Sequence, residues 1–152
     1  MQAFNQPVNK KDVLPVLRSG FFMSITGGLI IGALHLLFMY YLDFSLSWLF
    51  LLILAHLIAR RILQSYQHYH ILFSIISVLF YIFAYYLMNL TMMMGIYFIS
   101  DVFSIEIVRY LINPLLYFRF LNPLASGFFT TSNILDVVFF IVGIVYSYRF
   151  SK

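Results

Sequence analysis

The chain has no cysteine, four prolines, one tryptophan and only five acidic residues among 152. Without cysteine there is no disulfide scaffold, no zinc–thiolate site, no thiol redox chemistry and no thiol-linked lipid anchor. Charge is scarce as well: 9% of residues are Asp, Glu, Lys or Arg, against roughly 25% in a soluble domain. So few charges cannot cover a water-soluble fold of this length, and neither a disordered chain nor a coiled coil has this composition. Apolar side chains dominate instead: 63% of residues are hydrophobic, 20% are aromatic, and mean hydropathy is +0.96. The class that remains is an all-α integral membrane protein with several spans. The net charge of +4 does not point to nucleic acid, because the basic residues are not gathered on a soluble face able to neutralise several phosphates.

The hydrophobic runs predict a four-transmembrane-helix bundle. Residues 1–19 hold Lys10, Lys11, Asp12, Pro15 and Arg18 and read as a cytoplasmic tail with at most a helical turn along the membrane surface. Gly20 to Leu42 is 23 residues, too long for a signal-peptide core and followed by no small-residue cleavage site, so it is expected to be retained as a span. Asp43 is placed as a cap, and a second span covers 44–63, ending in Arg60 and Arg61. A third, 70–98, has 29 residues and must tilt, project or break near Gly95. The fourth, about 133–149, is short and borrows residues from Thr130–Ser132. Between the third and fourth, 99–132 mixes Asp101, Glu106, Arg109 and Arg119 with many aromatic and aliphatic residues, and reads as an amphipathic exterior segment.

Orientation follows from the basic residues. Four spans put Lys10, Lys11, Arg18, Arg60, Arg61, Arg149 and Lys152 on one side and only Arg109 and Arg119 on the other. That bias places both termini in the cytoplasm of a plasma (inner) membrane. The richness in Phe, Ile, Tyr and Leu suits a bacterial one. Tyr40, Tyr41, Trp48 and Tyr97 would form an outer aromatic belt, and Tyr66, Tyr69, Tyr146 and Tyr148 an inner one. Small multidrug transporters and fluoride channels share the size and span count. This chain lacks the membrane-embedded Glu of the former and the near-zero charge bias of a dual-topology dimer.

Two stripes carry most of the pattern. Gly20, Ser24, Gly28 and Gly32 recur every four residues in the first span, which lets another backbone approach closely. Packing on the second span, where Ala55 and Ala59 offer a matching small pair, is the simpler reading, and an oligomer or partner seam is the sharper one. On the third span Ser74, Ser77, Tyr81, Tyr85 and Asn89 follow steps of three or four. Such polar groups at membrane depth face the bundle interior or a cavity. They either hydrogen-bond between helices or line a pocket for a lipid headgroup, solute or water.

Single residues are weighed in the same way. His35 and His56 invite a haem reading, yet at about 1.5 Å per residue they sit roughly 10 Å apart in depth, which favours packing histidines. Gln64, Gln67, His68 and His70 read as a solvated turn rather than a metal site. Asp136 is the one acid within an apolar run. It is a proton or cation candidate, but Asn133 as N-cap with Asp136 at the third helical position explains it as well. Asn113-Pro114 and Asn122-Pro123 read as local caps, and Arg119 between them would suit an anionic headgroup. Glu106 and Arg109 are placed as a surface helix pair. No catalytic motif is recognisable, so no cofactor or metal is expected and an enzyme is disfavoured. The expected function is a non-catalytic accessory or assembly subunit of a membrane complex, or a self-associating scaffold. Its partners would be the lipid bilayer and another membrane protein or itself, not nucleic acid. The alternative is a small-solute or lipid transport or binding protein with a cavity lined by the polar stripe and by Arg119 and Asp136.

Overall fold

Nearly every stretch of this sequence is apolar enough to demand an internally hydrogen-bonded backbone, and the helix meets that demand without a partner strand. The computed structural model describes residues 9–42, 46–124 and 128–152, and among them every regular element is helical. The elements are α1 (Lys10–Leu42), α2 (Ser47–Leu63), α3 (Ile71–Ile99), α4 (Ile105–Leu111), two 3-10 turns (Pro114–Leu116 and Arg119–Leu121) and α5 (Thr131–Phe150). Three of them, α1, α3 and α5, are long and apolar enough to cross a membrane. They show apolar side chains outward, such as Ile30 (61% exposed), Leu79 (60%) and Ile141 (51%), as helices in an apolar solvent do.

In the bundle α1 neighbours α2 and α3, α5 neighbours the same two from the other side, and α2 and α3 also pack directly on each other. α1 and α3 form the most extensive pairing, and α2 and α5 the next. The core is richest on α2, where Leu54, Ala55, Ile58, Ala59 and Ile62 have no exposure. These positions follow steps of one, three and four, the spacing of one broad helical face. Tyr81, Phe73 and Met88 of α3 close the core from the opposite side.

α1 starts at Lys10, ten residues before the apolar run that begins at Gly20, so the stretch expected as a tail is helical from that point. Asn9 nucleates it: its Oδ1 accepts the Lys11 N–H at 3.2 Å and its Nδ2 donates to Asp12 at 3.2 Å. Val16 is fully buried and Asp12 is nearly so. These first turns share an open cleft of ≈ 380 Å³ with Gln64–Gln67 of the α2–α3 turn. α3 runs unbroken through Gly95, where the missing side chain leaves room for Leu36 of α1. It ends with Asp101 at φ 54. The Val102 N–H bonds the Tyr97 carbonyl and the Asp101 N–H that of Phe98, a Schellman closure. The expected cap at Asp43 and the first residues of the 44–63 run lie outside the described residues, as does part of the N-terminal tail.

Candidate functional site

The glycine stripe meets a different helix from the one expected. Its partner is α3, not α2. A Cβ on Gly32 would lie 2.5 Å from the Met88 carbonyl oxygen, and one on Gly28 would lie 3.0 Å from that of Ala84. Ser24 Oγ donates to the Phe80 carbonyl at 3.1 Å, and Gly20 faces the Phe80 ring. The α2 small pair, Ala55 and Ala59, is fully buried, but the residue that α1 turns toward α2 is Gly27, next to Leu54. The physical reason is bulk. The α1 face toward α2 carries large side chains, with His35 and Phe38 against Phe50 at ring separations of 5.3 and 5.8 Å. Close backbone approach is available only on the side where the glycines fall.

The polar stripe of α3 is held by protein partners. Ser74 pairs with the Tyr69 hydroxyl at 3.2 Å, and Ser77 with Ser147 of α5 at 2.8 Å. Tyr81 donates to the Phe140 carbonyl at 3.5 Å, and Tyr85 to the Tyr117 carbonyl at 3.4 Å. Asn89 donates back to the Tyr85 carbonyl at 2.9 Å. Gly143 makes this seam possible, since a Cβ there would collide with the Tyr81 hydroxyl. The sequence held a usable signal for this: Gly143 and Ser147 stand four apart, a small pair on the α5 face that meets α3.

The remaining candidates, Arg119 and Asp136, come together. They line one open cavity of ≈ 350 Å³ with Phe120, Phe128, Thr130, Ser132 and Asn133, and Arg119 is exposed there. Aromatic packing fixes the Arg119 wall. Phe118 and Phe120, on either side of it in sequence, rest on Tyr85 at 5.5 and 5.7 Å and on Phe140 at 6.1 and 5.5 Å. The 3-10 turn is therefore seated on the bundle by its neighbours, leaving the guanidinium to the cavity. Tyr117, at the base of the same segment, donates to the Leu111 carbonyl at 2.9 Å. Burial pushes its phenol up to about 12, with Tyr86, Tyr110 and Tyr97 adding to the rise.

Asn133 is not the helix cap that the sequence suggested. α5 starts two residues earlier, at Thr131, so Asn133 falls inside the first turn and Asp136 in the second. The amide of Asn133 is used to fold the loop instead: its Nδ2 donates to the carbonyls of Phe120 and Phe128, at 3.1 and 3.0 Å. Asp136 accepts from the Ser47 hydroxyl at the start of α2 at 3.0 Å. It also lies within electrostatic reach of His35 on α1 and Tyr85 on α3. One carboxylate on α5 thus touches α2 through Ser47 and acts electrostatically on residues of α1 and α3. Ser47 and the aromatic seats carry no sequence motif, which is why residue spacing alone did not assemble them.

Comparison with family models, with curated proteins and with solved structures finds no match. The site stands on its own geometry.

The other singled-out residues have local duties. His56 Nδ1 pairs with the Tyr146 hydroxyl at 2.9 Å, linking α2 to α5. His70 caps α3 by accepting the Leu72 N–H at 3.1 Å. Asn113 and Asn122 each accept the N–H two residues on, from Leu115 and Leu124, so the two Asn-Pro-Leu repeats fold alike. What lines the cavity chemically is one carboxylate, one guanidinium, one amide, two hydroxyls and two aromatic rings. The two opposite charges share that space, and among the described residues no ion pair joins them.

Proposed function

We propose that the protein is a non-catalytic, four-span component of a plasma membrane, with both termini cytoplasmic and residues 99–132 on the exterior. α2 has 17 residues, about 25 Å of helix, and is read as the fourth span because of its neighbours. Its Phe50 lies beside His35 and its Leu54 beside Gly27, so it runs antiparallel to α1 across the same depth. Arg18 and Arg61 line one cleft, and Tyr66 donates to the Ser151 carbonyl at 2.6 Å. Both contacts support placing the basic ends together on one side, as the charge bias demands.

Within that frame the protein acts as an accessory or assembly subunit of a membrane complex, or as a self-associating scaffold. The observation that supports the non-catalytic part of this reading is that both stripes are spent on packing within the chain, the glycines on α3 and the α3 hydroxyls on α5 and the adjoining loops. Contact with a partner would then use the outward apolar faces. Native mass spectrometry of the protein gently extracted from its own membrane tests it. A stable hetero-complex or homo-oligomer is expected. A monomer under conditions that keep other complexes intact would overturn it.

A second reading, binding or transport of a small solute or lipid, is favoured by one observation, the cavity shared by Arg119 and Asp136. In the same measurement a reproducible small-molecule adduct on the protein would select it.

A further inference from the structure

The cavity beneath the Arg119–Leu121 turn has a more specific chemistry than binding in general. We propose that it holds the headgroup of a zwitterionic, primary-amine phospholipid, with the phosphate on Arg119 and the ammonium on Asp136. The inference rests on the second reading above and names its ligand class.

A guanidinium offers a planar pair of donors suited to a phosphate, while a carboxylate with one oxygen bound by Ser47 keeps the other for an ammonium. A simple anion would be drawn to Arg119 and repelled by Asp136, and a simple cation the reverse. Only a ligand carrying both charges is favoured by both walls. The hydroxyl of Ser132 adds a neutral partner to the lining. The volume of ≈ 350 Å³ is near the lower end of the roughly 300–1,000 Å³ usual for small-molecule sites, enough for a headgroup and too small for two acyl chains. The chains have somewhere to go. Leu124 and Phe129, close in sequence to the lining residues, are 92% and 79% exposed. A free amino-acid-like zwitterion shares the polar chemistry, but it has no use for those exposed apolar residues.

The test is native mass spectrometry of the intact chain in detergent, titrated separately with phosphatidylethanolamine, phosphatidylcholine, phosphatidylglycerol and free phosphoethanolamine. Preferential retention of phosphatidylethanolamine is expected. Arg119→Gln should weaken it about tenfold, and Asp136→Asn should weaken it to the level of phosphatidylcholine. Arg119→Lys, which keeps the charge but loses the planar pair of donors, should weaken it less than Arg119→Gln does, and unchanged thermal unfolding of each variant separates lost binding from lost folding. Equal retention of all three lipids overturns the proposal. Retention of free phosphoethanolamine alone overturns the lipid source. Selective lipid binding untouched by both substitutions overturns this cavity while leaving the binding reading in place. No adduct of any kind overturns both.

Discussion

Along α3, the face toward α1 touches glycine and the face toward α5 touches hydroxyl groups. At Gly28 and Gly32 the two backbones approach until the neighbour of a missing Cβ is a carbonyl oxygen. At Ser77 and Tyr81 side-chain hydroxyls join α3 to α5, and at Tyr85 a hydroxyl joins α3 to the Tyr117 carbonyl between the two 3-10 turns. In lipid there is no hydrophobic drive to press helices together, so association relies on close packing and on interhelical hydrogen bonds. This protein uses mainly close packing toward α1, where Ser24 adds one hydrogen bond, and mainly hydroxyl hydrogen bonds toward α5, where Gly143 makes room for one of them. A backbone contact is rigid and cannot yield to an added atom. A hydrogen bond between side chains can lengthen, exchange partners or be lost at modest cost.

That contrast sets the order of the expected effects. Gly32→Val should be the most damaging single change, at about 3 kcal/mol, because the obstacle is the Met88 backbone. Gly20→Ala should cost under about 1 kcal/mol, since what stands in the way there is the Phe80 ring, which can turn aside. Thermal unfolding in detergent or lipid measures both, and equal costs at the two positions would break the distinction. On the other side, Gly143→Ala pushes against the Tyr81 hydroxyl and should cost about 1–2 kcal/mol. That places it between the two glycines of α1.

The hydrogen bonds themselves should be worth less. A double-mutant cycle on Ser77→Ala and Ser147→Ala is expected to give a coupling near 0.6 kcal/mol, the average for such pairs in a membrane protein. A coupling as large as the Gly32→Val effect would erase the difference between the seams. The smallest effect lies at the end of the bundle that holds the α2–α3 turn, where the Tyr66 hydroxyl donates to the Ser151 carbonyl. Burial, with Tyr69 adding to it, pushes the Tyr66 phenol up from 10 to about 12. A raised phenol favours the folded state fully below pH 10, and the benefit is lost as pH climbs toward 12. Unfolding followed across that window should show a falling stability in the native chain and a flatter profile in Tyr66→Phe. A slope unchanged by the substitution would show that the phenol does not report the junction.

The helical class and the membrane character were legible from hydropathy alone, because apolar runs of this length leave the backbone no other way to pair. Both stripes were legible as well, since a four-residue step marks a helix face whatever it meets. Periodicity does not name the partner helix, so the glycines were assigned to α2 on the strength of Ala55 and Ala59. The choice turned on side chains of the opposite face, His35 and Phe38, that no motif connects to Phe50. The start of α1 was misjudged for a related reason. Lys10, Lys11 and Asp12 look like tail in composition, but Asn9 caps them and Val16 buries itself. Asn133 carried a cap signal and is used for a loop. The Arg119–Asp136 cavity joins residues 17 apart, and its form depends on where Phe118 and Phe120 rest.

The central claim is that α2 returns across the membrane, making four spans with both ends inside. Because the chain has no cysteine, single cysteines at Gln67 and Ser100 report their side without background. Intact cells would be treated with a membrane-impermeant thiol reagent, then again after permeabilisation. The account requires Ser100→Cys to be labelled in intact cells and Gln67→Cys only after permeabilisation. Labelling of Gln67→Cys in intact cells would contradict it, leaving α2 packed within the bundle without crossing.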